Sequence, residues 1–132
     1  MSRCFFKIEA LGYIDQILTV ELVELRPMAP DGLIGTPWGI TEASNRCKVR
    51  FLAVVAFCVE PEIANSLGSS VQKIEPFLFR QTCTDYTVKM GWAASMYVGL
   101  PSETVQTHFV VYSENLVVHV LTPNQPEILA HV

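Results

Sequence analysis

The segment from Tyr86 to Val98 constrains the fold more than any other part of the chain. Tyr86, Val88, Met90, Trp92, Ala94, Met96 and Val98 alternate with Thr87, Lys89, Gly91, Ala93, Ser95 and Tyr97, a period of two held over thirteen residues. Successive side chains of an extended strand point to opposite faces, so this register sends Met90, Trp92 and Met96 to one apolar side. A helix would scatter the same residues around its circumference. The pattern predicts a long strand in a sheet with one apolar face, with Gly91 marking a bend or bulge.

Other segments extend the sheet. Thr104 to Tyr112 and Leu116 to Thr122 are rich in β-branched residues, and Ser113-Glu114-Asn115 supplies turn chemistry between them, which predicts a hairpin. Pro123 and Pro126 then stop the pairing, and Glu127 to Val132 reads as a short tail with Pro126 at a possible first helical position. Arg46 to Val59 begins as an alternation and ends continuously apolar, as expected of one strand entering the middle of a covered sheet. Ile63, Leu67 and Val71 or Ile74 recur at helical spacing, with Gly68-Ser69-Ser70 limiting any helix to about two turns. Strand resumes over Phe77 to Thr82. Phe6, Ile8 and Ala10 oppose Lys7 and Glu9 as in a strand, with Leu18, Val20 and Leu22 as its partner. Residues 13–25 also fit a helix face, and their β-branched content favours strand.

Arg26 to Asn45 contains Pro27, Pro30, Gly32, Gly35, Pro37 and Gly39, which preclude regular structure over most of its length. Loops this long in compact domains are often lids or binding loops. Met28, Leu33, Ile34, Trp38 and Ile40 are unusual in disordered segments, so the loop is expected to fold back and pack. Together these elements predict a β-dominated α+β fold: a single curved antiparallel sheet, a half-barrel of six or seven strands, with one short helix and a long covering loop. Residues 1–132 suit a single domain.

Composition narrows the function. Hydrophobic residues make up 50% of the chain and charged residues 17%, against roughly 25% charged in ordinary soluble domains. From Met90 to Val132 there is no Lys or Arg, and the acids are Glu103, Glu114 and Glu127. Much of that third should be central in the sheet or buried at a subunit contact, which makes a homodimer the expected partnership. A net charge of −4 disfavours nonspecific nucleic-acid binding, which rests on phosphate neutralisation. No apolar run approaches the roughly 18 residues of a membrane span, and Lys7 and Glu9 interrupt any apolar stretch of a secretory signal. A cytoplasmic protein is expected. Cys4, Cys47, Cys58 and Cys83 form no C-x-x-C pair and read as buried thiols, although a Cys4–Cys83 disulfide is geometrically possible. On one extended strand, Cys47 and Cys58 would lie beyond disulfide reach.

Three groups of residues carry candidate chemistry. His108 and His119 occupy opposite arms of the predicted hairpin. A two-residue turn at Glu114-Asn115 sets Val110 opposite His119 and puts both histidines on one face with Tyr112, whereas a three-residue turn separates them. Only the first arrangement makes a paired-imidazole site for proton transfer or metal, and no neighbouring spacing offers a further metal ligand. Arg46, Lys48 and Arg50 form a cation stripe that suits a carboxylate or phosphate, or that salt-bridges to Glu9, Glu21 or Glu24. Trp38, with Met90, Trp92 and Met96, can line an apolar cleft or simply pack in the core. Nucleophile elbows, P-loops and dinucleotide fingerprints are missing, and no cofactor or metal is indicated. The leading expectation is a noncatalytic module binding a small, apolar ligand through Trp38, Met90, Trp92, Met96, His108, Tyr112 and His119. A structural or interaction subunit whose apolar face serves assembly ranks second, and a small enzyme using the histidine pair third.

Overall fold

A computed structural model describes residues 5–28, 37–61, 71–81 and 107–131. Ten strands run through them: β1 (Phe5–Ile14), β2 (Ile17–Pro27), β3 (Trp38–Gly39), β4 (Arg46–Phe51), β5 (Ala56–Pro61), β6 (Val71–Glu75), β7 (Leu78–Gln81), β8 (Thr107–Tyr112), β9 (Leu116–Thr122) and β10 (Glu127–His131). Among the described residues there is no helix, and so none long and apolar enough to cross a membrane.

The expected single sheet is in fact two antiparallel sheets, neither of them closed. The first has the order β1-β2-β4-β10, with β3 added to the end of β2, and the second has the order β5-β9-β8-β7-β6. The layers meet through alternate residues. Leu18, Val20, Leu22, Val49 and Phe51 of the first share one buried cluster with Leu78, Phe109, Val111, Val118 and Val120 of the second. Phe51 and Phe109 lie 5.8 Å apart, centroid to centroid, at the middle of this interface, with Phe6–Phe77 (5.0 Å) and Tyr13–Phe57 (4.9 Å) as further ring contacts. Burying such side chains stabilises by roughly 1.5–3 kcal/mol each.

The sheet count was misread because Arg46 to Val59 is two strands. The chain leaves the first sheet after Phe51 and enters the second at Ala56, turning at Ala53, whose φ of 53° lies in the left-handed region. The apolar run that suggested a strand covered on both faces is a crossover between layers. Its backbone is satisfied by long-range bonds: Val54 N donates to Gln16 O (2.9 Å), Val55 N donates to Leu121 O (2.8 Å), and the Thr122 hydroxyl donates to Leu52 O. Cys47 and Cys58 are thiols on strands of different sheets, not on one strand.

The N-terminal hairpin settles residues 13–25 as strand on either side of a two-residue turn. Ile14 pairs with Ile17, and Asp15 (φ 52°) and Gln16 (φ 64°) both take the left-handed conformation of a type I′ turn. Two other readings are corrected. Val71 and Ile74, which fitted a helical spacing, lie in β6, folded onto β7 through the Pro76-Phe77 turn. Glu127 to His131, read as a tail after Pro126, is β10, paired along its whole length with β4. The rest of the helix signal, at Ile63 and Leu67, lies outside the described residues, as does the alternating segment Tyr86 to Val98. The β8–β9 hairpin, which has no Lys or Arg, does occupy the interior of its sheet. The long loop is described at its two ends, which close on each other: β3 pairs with Arg26 and Pro27, and Met28 N donates to Pro37 O (2.8 Å).

Candidate functional site

Three regions carry the residues singled out in the sequence. The first lies on the face of the second sheet turned away from the shared core. The β8–β9 register pairs Tyr112 with Val117 and Val110 with His119, as a two-residue turn requires. The turn is held by Ser113, whose backbone N donates to Leu116 O (3.1 Å) and whose hydroxyl accepts from Leu116 N (3.0 Å). His108 and His119 therefore meet. His108 Nε2 and His119 Nδ1 are 3.0 Å apart, and both rings are buried, at 1% and 4% exposure. On the far side of His119, Nε2 faces Glu60 Oε2 at 3.5 Å. Glu60 comes from β5, whose Cys58 lies directly opposite His119, and the Cys58 thiol approaches Glu60 Oε1 at 3.9 Å. Tyr112 lies on the same face by register.

Glu60 escaped the sequence reading because Glu60-Pro61 looked like the end of a strand. The β5–β9 pairing that brings it to His119 spans almost sixty residues, and no local pattern announces it. Among the described residues no group of three or more His, Cys, Asp or Glu side chains is arranged to hold a metal ion.

The second region is an open cleft of about 420 Å³ lined by Phe5, Leu25, Trp38 and Glu114. Trp38 is 45% exposed and meets Phe5 edge to face, with centroids 5.0 Å apart. Phe5 and Leu25 are paired residues of β1 and β2. Glu114 is carried there by the tip of the β8–β9 hairpin, where Glu114 N donates to Phe6 O (2.8 Å) and the Asn115 side chain exchanges two hydrogen bonds with the backbone of Ile8, both 3.0 Å. Trp38 is thus at an apolar cleft, in the company of residues the sequence had not marked. Met90, Trp92 and Met96 lie outside the described residues. Trp38 belongs to the first sheet, while the histidine pair is on the outward face of the second, so the two do not form one site. Phe5 and Leu25 carried no signal beyond ordinary strand apolarity, and Glu114 read only as a turn residue.

The third region is the cation stripe. Arg46, Lys48 and Arg50 share the outward face of β4, and each meets a carboxylate: Arg46 with Glu9 (3.2 Å), Lys48 with Glu21 (3.6 Å), and Arg50 with Glu127. Hydrogen bonding to Glu9, and then its charge, push the Arg46 pKa above its ordinary value, so the pairing reinforces the cation. The stripe is neutralised by its own neighbours, and such surface pairs contribute roughly 0–1 kcal/mol each. No protein-family model matches the chain, and neither a curated protein nor a solved structure matches it.

Proposed function

We propose that this domain is a noncatalytic module that binds a small, largely apolar ligand in the cleft beside Trp38, and that it acts as a cytoplasmic homodimer. The observation that carries the reading is the composition of that cleft. Among the described residues it is lined by the apolar or aromatic Phe5, Leu25 and Trp38 together with Glu114, and its volume of about 420 Å³ falls within the roughly 300–1,000 Å³ of small-molecule sites. A half-exposed indole held edge-on to a phenyl ring offers apolar contact area at low entropic cost, and Glu114 supplies a polar group to orient a ligand. Met90, Trp92 and Met96 belong to the same proposal, as further apolar contacts for the ligand. The dimer is supported by Ile128 and Leu129, about two-fifths exposed on β10, an edge strand of the first sheet.

Nile red, a neutral apolar fluorophore, tests the cleft. The expected result is saturable one-site binding to the folded protein, weakened at least tenfold by Trp38→Ala and unchanged by Lys48→Gln. Equal binding by Trp38→Ala, or none by the wild type, overturns the reading. Light scattering at high micromolar concentration should give about twice the 14.7 kDa chain mass. A monomer would remove the dimer.

A further inference from the structure

The cleft beside Trp38 carries a charge that its apolar walls do not explain. Glu114 lines it together with Phe5, Leu25 and Trp38. The residue is exposed, and its backbone fixes its place: Glu114 N donates to Phe6 O at 2.8 Å, one residue along β1 from Phe5. The neighbouring Asn115 is tied to Ile8 on the same strand. The hairpin tip thus holds one carboxylate beside the aromatic residues of the cleft.

Charges on the flanking strands do not offset it. Arg26, the residue after Leu25, is taken up by Glu24 at 2.7 Å. Lys7, two residues along β1 from Phe5, is not among the described residues that line the cleft. Glu9, Glu21, Glu24 and Glu127 each meet a Lys or Arg, whereas among the described residues no ion pair involves Glu114.

The aromatic pair supplies a matching feature. The rings of Phe5 and Trp38 stand at 88° with centroids 5.0 Å apart, so their planes form a corner. The face of each ring is the negative part of its quadrupole, and such faces attract an organic cation, most strongly on tryptophan. A carboxylate next to that corner attracts the same charge. A neutral ligand filling the cleft would instead strip water from Glu114 and return nothing for it.

We infer that the ligand of this cleft is an organic ammonium, an apolar chain ending in a quaternary nitrogen that sits against Phe5 and Trp38 with Glu114 as its counterion. This rests on the cleft being a small-molecule site, as proposed above, and adds a positive charge to what it binds.

One chain with three head groups tests it. Octyltrimethylammonium, octanol and octanoate share an eight-carbon chain and are cationic, neutral and anionic at pH 7. Each is titrated, below its micelle concentration, against the full chain loaded with Nile red. Octyltrimethylammonium should displace the dye at a concentration at least tenfold below that of octanol, and octanoate should need more than either. Glu114→Gln should leave Nile red binding unchanged and erase the preference for the ammonium over octanol. That substitution keeps the backbone bond to Phe6 and alters an exposed side chain, so folding is not at stake. Added sodium chloride should weaken displacement by the ammonium and not by octanol, since an exposed charge pair is screened. Equal displacement of bound Nile red by the ammonium and octanol overturns the inference and leaves the cleft as an apolar site. A preference that survives in Glu114→Gln overturns it too. A wild-type chain that binds no Nile red removes the cleft itself, and the ammonium with it.

Discussion

Asn115 does the work of a missing strand residue. Glu9 is the extra residue of a bulge in β1, where the pairing with β2 shifts between Ile8 and Ala10. The backbone of Ile8 beside it is claimed by the Asn115 side chain, whose Oδ1 accepts from Ile8 N and whose Nδ2 donates to Ile8 O. Ile8 is 5% exposed, so removing the amide leaves two polar groups with little access to water. Asn115→Ala should cost about 2–3 kcal/mol, seen as a lower urea midpoint with an unchanged slope. Asn115→Asp should not recover the loss, since its second oxygen faces the Ile8 carbonyl in place of a donor. A cost under about 0.5 kcal/mol would mean that the Glu114–Phe6 backbone bond docks the hairpin by itself. Because Glu114 lines the cleft, Asn115→Ala should also weaken Nile red binding. Cys47 yields a second residue-scale prediction. Burial, and then the charge of Glu75, push its thiol up to about 11, above the ordinary 9.0. A thiolate is the reactive form, so in the folded protein Cys47 should resist alkylation by iodoacetamide at pH 8 and react readily once urea unfolds the chain. The raised value also means that the thiol's contribution to stability is complete below about 9 and lost as pH rises through about 11. Rapid alkylation of native Cys47 at pH 8 would contradict both statements.

At the scale of elements, the turns explain what could be read from the sequence. Asp15-Gln16 makes a type I′ turn with no glycine, and both residues hold a positive φ that side chains ordinarily avoid. Gln16→Gly should therefore raise stability by about 0.5–1 kcal/mol, measured as an increase in Tm, while keeping the Gln16 carbonyl that accepts from Val54 N. A lower Tm would show that the glutamine side chain matters more than the strain. The β8–β9 hairpin was legible because β-branched arms and a polar turn are local signals, but the sequence left its loop at two or three residues, and only the register decides that the loop has two and that both histidines stand on one side. The inward and outward faces of β4 were legible for the same reason. Strand β6 was misread because Val71 and Ile74 satisfy a three-residue spacing that a bulged strand also allows, and its pairing with β7 shifts between Lys73 and Glu75. The β4–β5 break was hidden because an apolar crossover packed between layers has the same composition as a strand covered on both faces. β10 was missed since five residues after a proline carry no periodicity, and its partner β4 lies almost eighty residues earlier. Of the site, the histidine hairpin was visible but its register stood between two turn lengths, while Glu60 and the cleft partners Phe5 and Leu25 depend on pairing between distant segments.

Across the whole molecule, the order of strands ties the two layers together. The first sheet takes β1 to β4 from one side of the sequence and β10 from the other, and the second takes β5 to β9. The first sheet is therefore complete only once the chain has passed through the second. The crossover bonds from Val54 to Gln16 and from Val55 to Leu121 join one short segment to both layers, and Phe51 meets Phe109 across the interface. Neither sheet can keep its inward apolar face dry without the other, so the two should unfold as one unit. Phe109→Ala tests this because the residue is fully buried on the second sheet and touches the first through Phe51. The substitution should cost about 3–5 kcal/mol, as emptied aromatic sites do. Under native conditions, amide exchange at the most protected positions reports the free energy of global unfolding. Protection of the buried amides of Val20 in β2 and Val120 in β9 should therefore fall by the same factor in the variant, roughly 10²–10⁴ for that range of cost. If Val120 loses protection while Val20 keeps it, the layers are separate folding units joined by a linker. The hairpin tip would then deliver Glu114 to the Trp38 cleft across a boundary that opens on its own, and binding at the cleft would report on that opening as much as on the ligand.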